Sequence, residues 1–201
     1  MSTFDPVMVG PSKFERYSKD AYFTLDAPMC IDALIDAVGF GPNVLEPAAG
    51  RGHLVVELKG YGLSVTATDL HAFKPIADDL DIRTGYDLMA IDGLAGYDAI
   101  VTNLPYDQQD AMLRHLLPIA HRDQCAVAVL TRAAWHLPKR RRALVHTDRY
   151  FQGVVTLPRR PWWSEDRSSA PRHDFVWCVW GSKPRGPGYH PEIFYPDERR
   201  S

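Results

Sequence analysis

Between Asn43 and Leu130 the chain alternates short apolar runs with segments of helical spacing, and this alternation restricts its possible folds more than any other feature. The strand candidates are Asn43–Ala49 (opening on Val44-Leu45), Ser64–Leu70, Ile82–Tyr86, Gly96–Thr102 and Cys125–Leu130. Each has the length and the apolar or β-branched content of a buried strand. The helix candidates are His53–Tyr61 and Gln108–His121, the latter with Met112, Leu113, Leu116 and Leu117 on one face. A short helix is expected over Phe73–Leu80, and a basic one over Pro138–Val145 with its proline in the first turn. Strands separated by helices of this length predict an α/β fold, a parallel sheet with helices on both faces. Such sheets bind ligands beyond the carboxyl ends of their strands, where the strand order reverses. Tyr150–Leu157 and Phe175–Trp180 add two strands, with Trp177 and Trp180 expected in the core. The connection between them, Pro158–Asp174, is rich in Pro, Arg and Trp, and irregular connections of that length are often functional.

At 201 residues, 45% hydrophobic and 24% charged, the chain has the size and composition of one globular domain spanning 1–201, not of a disordered polymer. No apolar run approaches the roughly 18 residues of a membrane span. Met1–Gly10 lacks a basic segment followed by an apolar core, so no secretory signal, no membrane partner and a cytoplasmic location are expected. Cys30, Cys125 and Cys178 are far apart in apolar surroundings and read as reduced core thiols. No Cys/His spacing suits a metal, so none is expected. Charge is unevenly spread: nine Lys/Arg stand against eighteen Asp/Glu up to Thr131, and fourteen against seven from Arg132 onward. A basic last third on an acidic body suggests a face that meets an anion.

The strand ends carry the chemistry. Glu46-Pro47-Ala48-Ala49-Gly50-Arg51-Gly52 runs from a buried strand through small residues and two glycines into a helix. Glycine there permits close approach of a ligand, and the helix N-terminus offers free N–H groups. The third glycine of the dinucleotide fingerprint is replaced by Val55, and no Gly-Lys-Ser/Thr follows for a phosphate loop. Glu46 would repel a pyrophosphate and attract a cation such as a sulfonium or an amine. Asp69 ends the second strand, where a carboxylate can accept from two ribose hydroxyls. Asp87 and Leu88 follow the third strand, placed to accept from an adenine amine and pack on its ring. Three acids at successive strand ends favour an adenosine-type ligand. Asn103-Leu104-Pro105-Tyr106 follows the fourth strand, which in this topology lies beside the first.

These residues resemble the S-adenosylmethionine-dependent N6-adenine DNA methyltransferases, in a compact form met in phage and prophage that has no separate target-recognition domain. Residues 46–52 resemble the cofactor motif. Asn103-Leu104-Pro105-Tyr106 is similar to the catalytic Asn/Asp/Ser-Pro-Pro-Tyr/Phe, with Leu104 in place of the first proline; the Asn-Leu-Pro-Tyr form also occurs in ribosomal RNA adenine dimethyltransferases. Asp20-Ala21-Tyr22-Phe23-Thr24 resembles the segment that covers the cofactor, although the usual Thr-Pro reads Thr24-Leu25 and the proline is displaced to Pro28. The resemblance spans roughly 20–181. It implies a Rossmann-like class I methyltransferase with a seven-stranded, mostly parallel sheet and a C-terminal antiparallel strand. Residues 1–42 would cover the cofactor, 43–181 form the core, with 158–174 as a basic and aromatic loop, and 182–201 form a tail. S-adenosylmethionine is the implied cofactor, contacting Tyr22, Thr24, Glu46, Pro47, Ala48, Gly50, Gly52, Asp69, Leu70, Asp87, Leu88 and Asn103. The cofactor motif precedes the catalytic one, so the chain is not of the circularly permuted kind.

The implied reaction explains the residue types. An exocyclic adenine amine is a weak nucleophile, its lone pair delocalised into the ring. The Asn103 side-chain oxygen and the carbonyl of Leu104 or Pro105 can both accept from it and aim the lone pair. Pro105 stiffens the turn, and Tyr106 offers a flat surface for the base. Arg132, Arg140, Arg159, Arg160, Trp162 and Trp163 combine guanidinium groups that hold phosphates with indoles that stack or wedge at bases, so an adenine-containing DNA is the expected partner. Alternatively, the two tryptophans cover the sheet edge and the arginines are solvated. RNA adenine and protein glutamine amides remain alternative substrates, and a module that binds without catalysis is a third reading.

Overall fold

The computed structural model describes residues 23–163 and 171–196. Its centre is one eight-stranded sheet. In chain order the strands are β1 (Asn43–Glu46), β2 (Ser64–Asp69), β3 (Ile82–Thr84), β4 (Ala99–Thr102), β5 (Ala126–Arg132), β6 (Phe151–Thr156), β7 (Phe175–Trp180) and β8 (Glu192–Phe194). They lie in the order β3-β2-β1-β4-β5-β7-β6-β8. The pairings from β3 to β5 are all parallel, and β7 runs antiparallel to both β5 and β6. The order reverses between β1 and β4, which pair directly through Val44↔Ala99 and Leu45↔Ile100.

The side-chain period of two divides the sheet into two cores. Ile100, Val127, Val129, Cys178 and Trp180 face one layer; Val101, Ala128, Leu130, Trp177 and Val179 face the other. Helix α3 (Gln109–Arg122) covers the first layer with Leu113, Leu116, Leu117 and Ala120. Helices α1 (Ala27–Ala37) and α2 (His53–Gly60) cover the second with Cys30, Ile31, Leu34, Leu54 and Leu58. A sheet buried on both faces explains why its strands read as near-continuous apolar runs. Trp177 and Trp180 are fully buried, and their indole N–H groups donate to the carbonyls of Cys30 and Leu144. The three cysteines are buried and unpaired, and burial pushes the Cys125 thiol up to about 12.

Four features depart from the sequence expectations. Helix α1 has no counterpart among them; Pro28 lies in its first turn, and a buried stripe of Cys30, Ile31 and Leu34 seats it on the sheet. The helix expected over 73–80 is an irregular loop: Pro75 and the acids Asp78 and Asp79 interrupt it, and Leu80 turns in toward Gly52. The basic helix expected over 138–145 shrinks to a single 3-10 turn, Lys139–Arg141. There Arg141 is drawn inward, its Nε donating to Asp110 at 2.8 Å and its Nη1 to the Trp135 carbonyl at 2.7 Å. The sheet has an eighth strand where a tail was expected. Arg185 anchors that tail on the carbonyls of Asp148 and Arg149, and β8 then pairs in parallel with β6.

Candidate active site

The turn after β1 and the turn after β4 open into the same cavity, of about 420 Å³. Pro47, Ala48 and Gly50 contribute one wall, and Asn103, Leu104, Pro105 and Tyr106 contribute another. Asp69, Leu70, Asp87 and Leu88 complete the side toward β2 and β3. This arrangement follows from topology, since β1 and β4 are neighbours at the point where the strand order reverses and both turns leave the same edge.

Each carboxylate on this edge is held differently. Asp69 is buried; its Oδ2 accepts from the Gly50 N–H and its Oδ1 from the His71 N–H, both at 2.8 Å, so it ties the turn after β1 to the end of β2. Asp87 accepts from the Met89 N–H and caps the 3-10 turn Leu88–Ala90. Glu46 is fully buried and lies behind the cavity wall rather than on it, contrary to the expectation of direct contact. Its Oε1 accepts from the Thr102 hydroxyl at 2.7 Å and from the Ala48 N–H at 3.0 Å, whereas Oε2 has no hydrogen-bond partner among the described residues. Burial pushes the Glu46 carboxyl up to about 8, against those two hydrogen bonds, and nearby Asp69 raises it further.

Two more of the expected contact residues stand off the cavity, and one falls outside the description. Gly52 precedes α2 with φ +90°, a conformation that favours glycine, and lies under the Leu80 side chain. Its role is to turn the chain into the helix. Thr24 is buried and accepts from Asn103 Nδ2 at 3.1 Å. Tyr22 lies outside the described residues. Conversely, Phe23, His71, Phe73, Tyr86, Met89, Gln108 and Met112 line the cavity without having been singled out from the sequence. Phe23 had a signal in its place between Tyr22 and Thr24. His71, Phe73, Tyr86, Met89 and Gln108 sit in irregular segments or at the start of α3, where no periodicity marks them, whereas Met112 belongs to the apolar face expected for that helix.

The basic residues separate into engaged and available groups. Arg132 is exposed, and its guanidinium carbon lies 5.6 Å from the Tyr106 ring centroid. Arg140 is exposed, with Nε 3.7 Å from Asp110. Arg159 and Arg160, expected to hold phosphates, are half-exposed and ion-paired with Asp26 and Asp174, each at 2.7 Å. Trp162 is half-buried, and its backbone N–H donates to Asp26. Trp163 is also half-buried; it packs on Phe175 at 4.6 Å and meets Tyr106 edge-on at 6.4 Å. Trp163 therefore stands beside the 103–106 turn.

No family model matches the chain, and no curated protein matches it. Solved structures do. One is a Listeria monocytogenes protein proposed as a class I S-adenosylmethionine-dependent methyltransferase: TM-score 0.51 and 12% identity, over 86% of this chain and 64% of that one. Another is a Streptococcus thermophilus protein proposed as a hemolysin: TM-score 0.50 and 11% identity, over 92% of this chain and 73% of that one. The chain thus spans less than two thirds of the Listeria protein's length. At these identities the likeness is one of architecture, and the fold is that of the class I S-adenosylmethionine-dependent methyltransferases.

Proposed function

We propose that the chain transfers a methyl group from S-adenosylmethionine to the exocyclic N6 amine of adenine in DNA. The observation that carries this reading is the shared cavity: the turn after β1 and the Asn103–Tyr106 turn face one space. Its volume lies within the roughly 300–1,000 Å³ usual for small-molecule sites. The residues suit the cofactor. Asp69 and Asp87 line the cavity beyond the ends of neighbouring strands, an arrangement that suits Asp69 to ribose and Asp87, beside Leu88, to adenine. Behind Ala48, the buried Glu46 carboxyl has an oxygen without a hydrogen-bond partner among the described residues, and a cation bound in front of it would favour its ionised form. When bound, S-adenosylmethionine supplies a methyl group already activated on a sulfonium.

The chain's own task is to position the amine. Donation from Asn103 Nδ2 to Thr24 fixes the amide plane and turns Oδ1 to the opposite edge, as an acceptor for a base NH₂. The Pro105 carbonyl already accepts from the Gln108 N–H at 3.1 Å, so the Leu104 carbonyl is the better second acceptor. Two acceptors orient the amine lone pair, and positioning of this kind accounts for large rate factors without a strong base. Tyr106, flanked by Arg132, Trp163 and Phe175, forms an aromatic and cationic border suited to a flat base and a neighbouring phosphate. A base within a duplex would have to be extruded to reach this border.

Product identity tests the proposal. Purified protein is incubated with methyl-labelled S-adenosylmethionine and, separately, with duplex DNA, RNA and ribosomal protein extract, and the products are digested. The expected labelled species is N6-methyladenine from DNA. Label confined to RNA or to glutamine would overturn the substrate assignment.

A further inference from the structure

The four residues Phe23–Asp26 touch three functional parts of the molecule at once. Phe23 lines the cavity. Thr24 accepts from the Asn103 side chain. Asp26 receives three donors from the loop after β6: Arg159 Nη1 at 2.7 Å, Arg159 Nη2 at 3.3 Å and the Trp162 N–H at 2.7 Å. The position of Asp26 makes this notable. It immediately precedes α1, where an aspartate ordinarily caps its own helix, yet its carboxylate makes no cap hydrogen bond. The capping interaction, typically worth about 1 kcal/mol, is forgone for a tertiary one. The carboxylate is 8% exposed, whereas Arg159 is half-exposed, so the pair sits at the edge of the protein with its anionic partner inside. The same loop then leads to Trp163, whose ring meets Phe175 and Tyr106. Asn103 and Tyr106 are thus braced from two directions by one clasp: through Thr24 on one side, and through the loop and Trp163 on the other.

We propose that Asp26 is a positioning residue that couples the loop after β6 to the cavity through residues 23–26, so that ligand capture in the cavity and ordering of residues 159–163 reinforce each other. The proposal rests on the methyltransferase reading only for the identity of the cavity's ligand. The physical link is a contiguous one: the Arg159 guanidinium, the Asp26 carboxylate, the short 23–26 backbone, Thr24 Oγ1 and the Asn103 amide. A ligand that packs on Phe23 stabilises the segment, which holds Asp26 in place for Arg159 and Trp162. By reciprocity, an occupant of the loop that holds Trp163 in place tightens the cavity by the same factor.

Amide hydrogen exchange on the ligand-free protein tests the link without any assumption about activity. Arg159→Ala should speed exchange at residues 23–27 and at the 103–106 turn as well as at 159–163, while Arg159→Lys should retain most of the protection. Faster exchange confined to 159–163 would overturn the proposal. A second arm measures S-adenosylmethionine binding by calorimetry. Asp26→Asn and Arg159→Ala should each weaken it by about tenfold, within the usual range for coupled sites, and the double variant should be little worse than either. Additive losses, or unchanged affinity in both single variants, would contradict the coupling. If the wild-type protein binds no S-adenosylmethionine, the methyltransferase reading fails, and the ligand-free exchange arm still decides whether the clasp exists. With active protein, the same variants should raise the KM for cofactor and for nucleic acid together, whereas a purely structural role would lower the amount of active enzyme and leave both KM values unchanged.

Discussion

Glu46 is the residue whose environment departs furthest from water among the groups at this edge. It is fully buried, with one oxygen bonded and the other without a partner among the described residues. Its carboxyl is held up at about 8 from an ordinary 4.5. Between those values the folded chain keeps a proton that the unfolded chain releases. This residue's contribution therefore makes stability fall as pH rises from about 4.5 to about 8, and level off above. Glu46→Gln cannot ionise and should flatten that slope. Urea unfolding at pH 5 and pH 9 should show the variant gaining on the wild type by a few kcal/mol at the higher pH, since each pH unit of that interval costs the wild type on the order of 1.4 kcal/mol. An equal pH slope in both proteins would mean that the carboxyl reaches water. The sequence placed Glu46 at a strand end, but not behind the wall, because only packing decides which strand-end carboxylate is exposed. Asn103, Pro105 and Tyr106 were legible because their spacing follows a buried strand. Phe73 and Met89 were not, since they belong to irregular segments where no period marks one face.

Strands are more legible in this sequence than helices. Residues 175–180 were bounded correctly from their apolar run, because a fully buried strand is apolar at every position. The helices expected over 73–80 and 138–145 failed, because proline, adjacent acids and an inward-turned arginine outweighed local spacing. Strand β8 has no sequence signal because Glu192–Phe194 is only three residues long, opens on a charged residue and lies at the sheet edge; its pairing with β6 depends on Gly153. That glycine has φ +146° at a register shift in β6, and an added Cβ would lie 1.9 Å from the Glu192 carbonyl oxygen. Gly153→Ala should therefore expel β8. We expect a loss of roughly 2–3 kcal/mol in chemical denaturation, within the range of severe single substitutions, and rapid amide exchange at 192–194. Retained protection there would show that the strand accommodates the change.

For the whole molecule, the uneven charge has a more specific meaning than composition allowed. Part of the basic excess is consumed internally: Arg141 by Asp110, Arg159 by Asp26, and Arg160 by Asp174. Arg132 forms no ion pair among the described residues and lies over Tyr106, next to the cavity. If nucleic acid is the substrate, its affinity should fall steeply with salt, and Arg132→Ala should reduce the slope of log K against log salt by about one, the signature of one lost phosphate contact. A slope unchanged in Arg132→Ala would place the phosphates elsewhere.

The proposed function requires one separation of roles within the shared cavity: the turn after β1 binds the cofactor, and Asn103 holds the amine that receives the methyl group. Asn103→Ala separates the two in one preparation, with cofactor affinity read by calorimetry and label transfer to DNA read by counting. We expect affinity within about threefold of wild type and transfer reduced by roughly 10²–10³, the scale on which loss of a single positioned hydrogen-bonding group acts. Full transfer in the variant, or loss of cofactor binding together with transfer, would contradict the account.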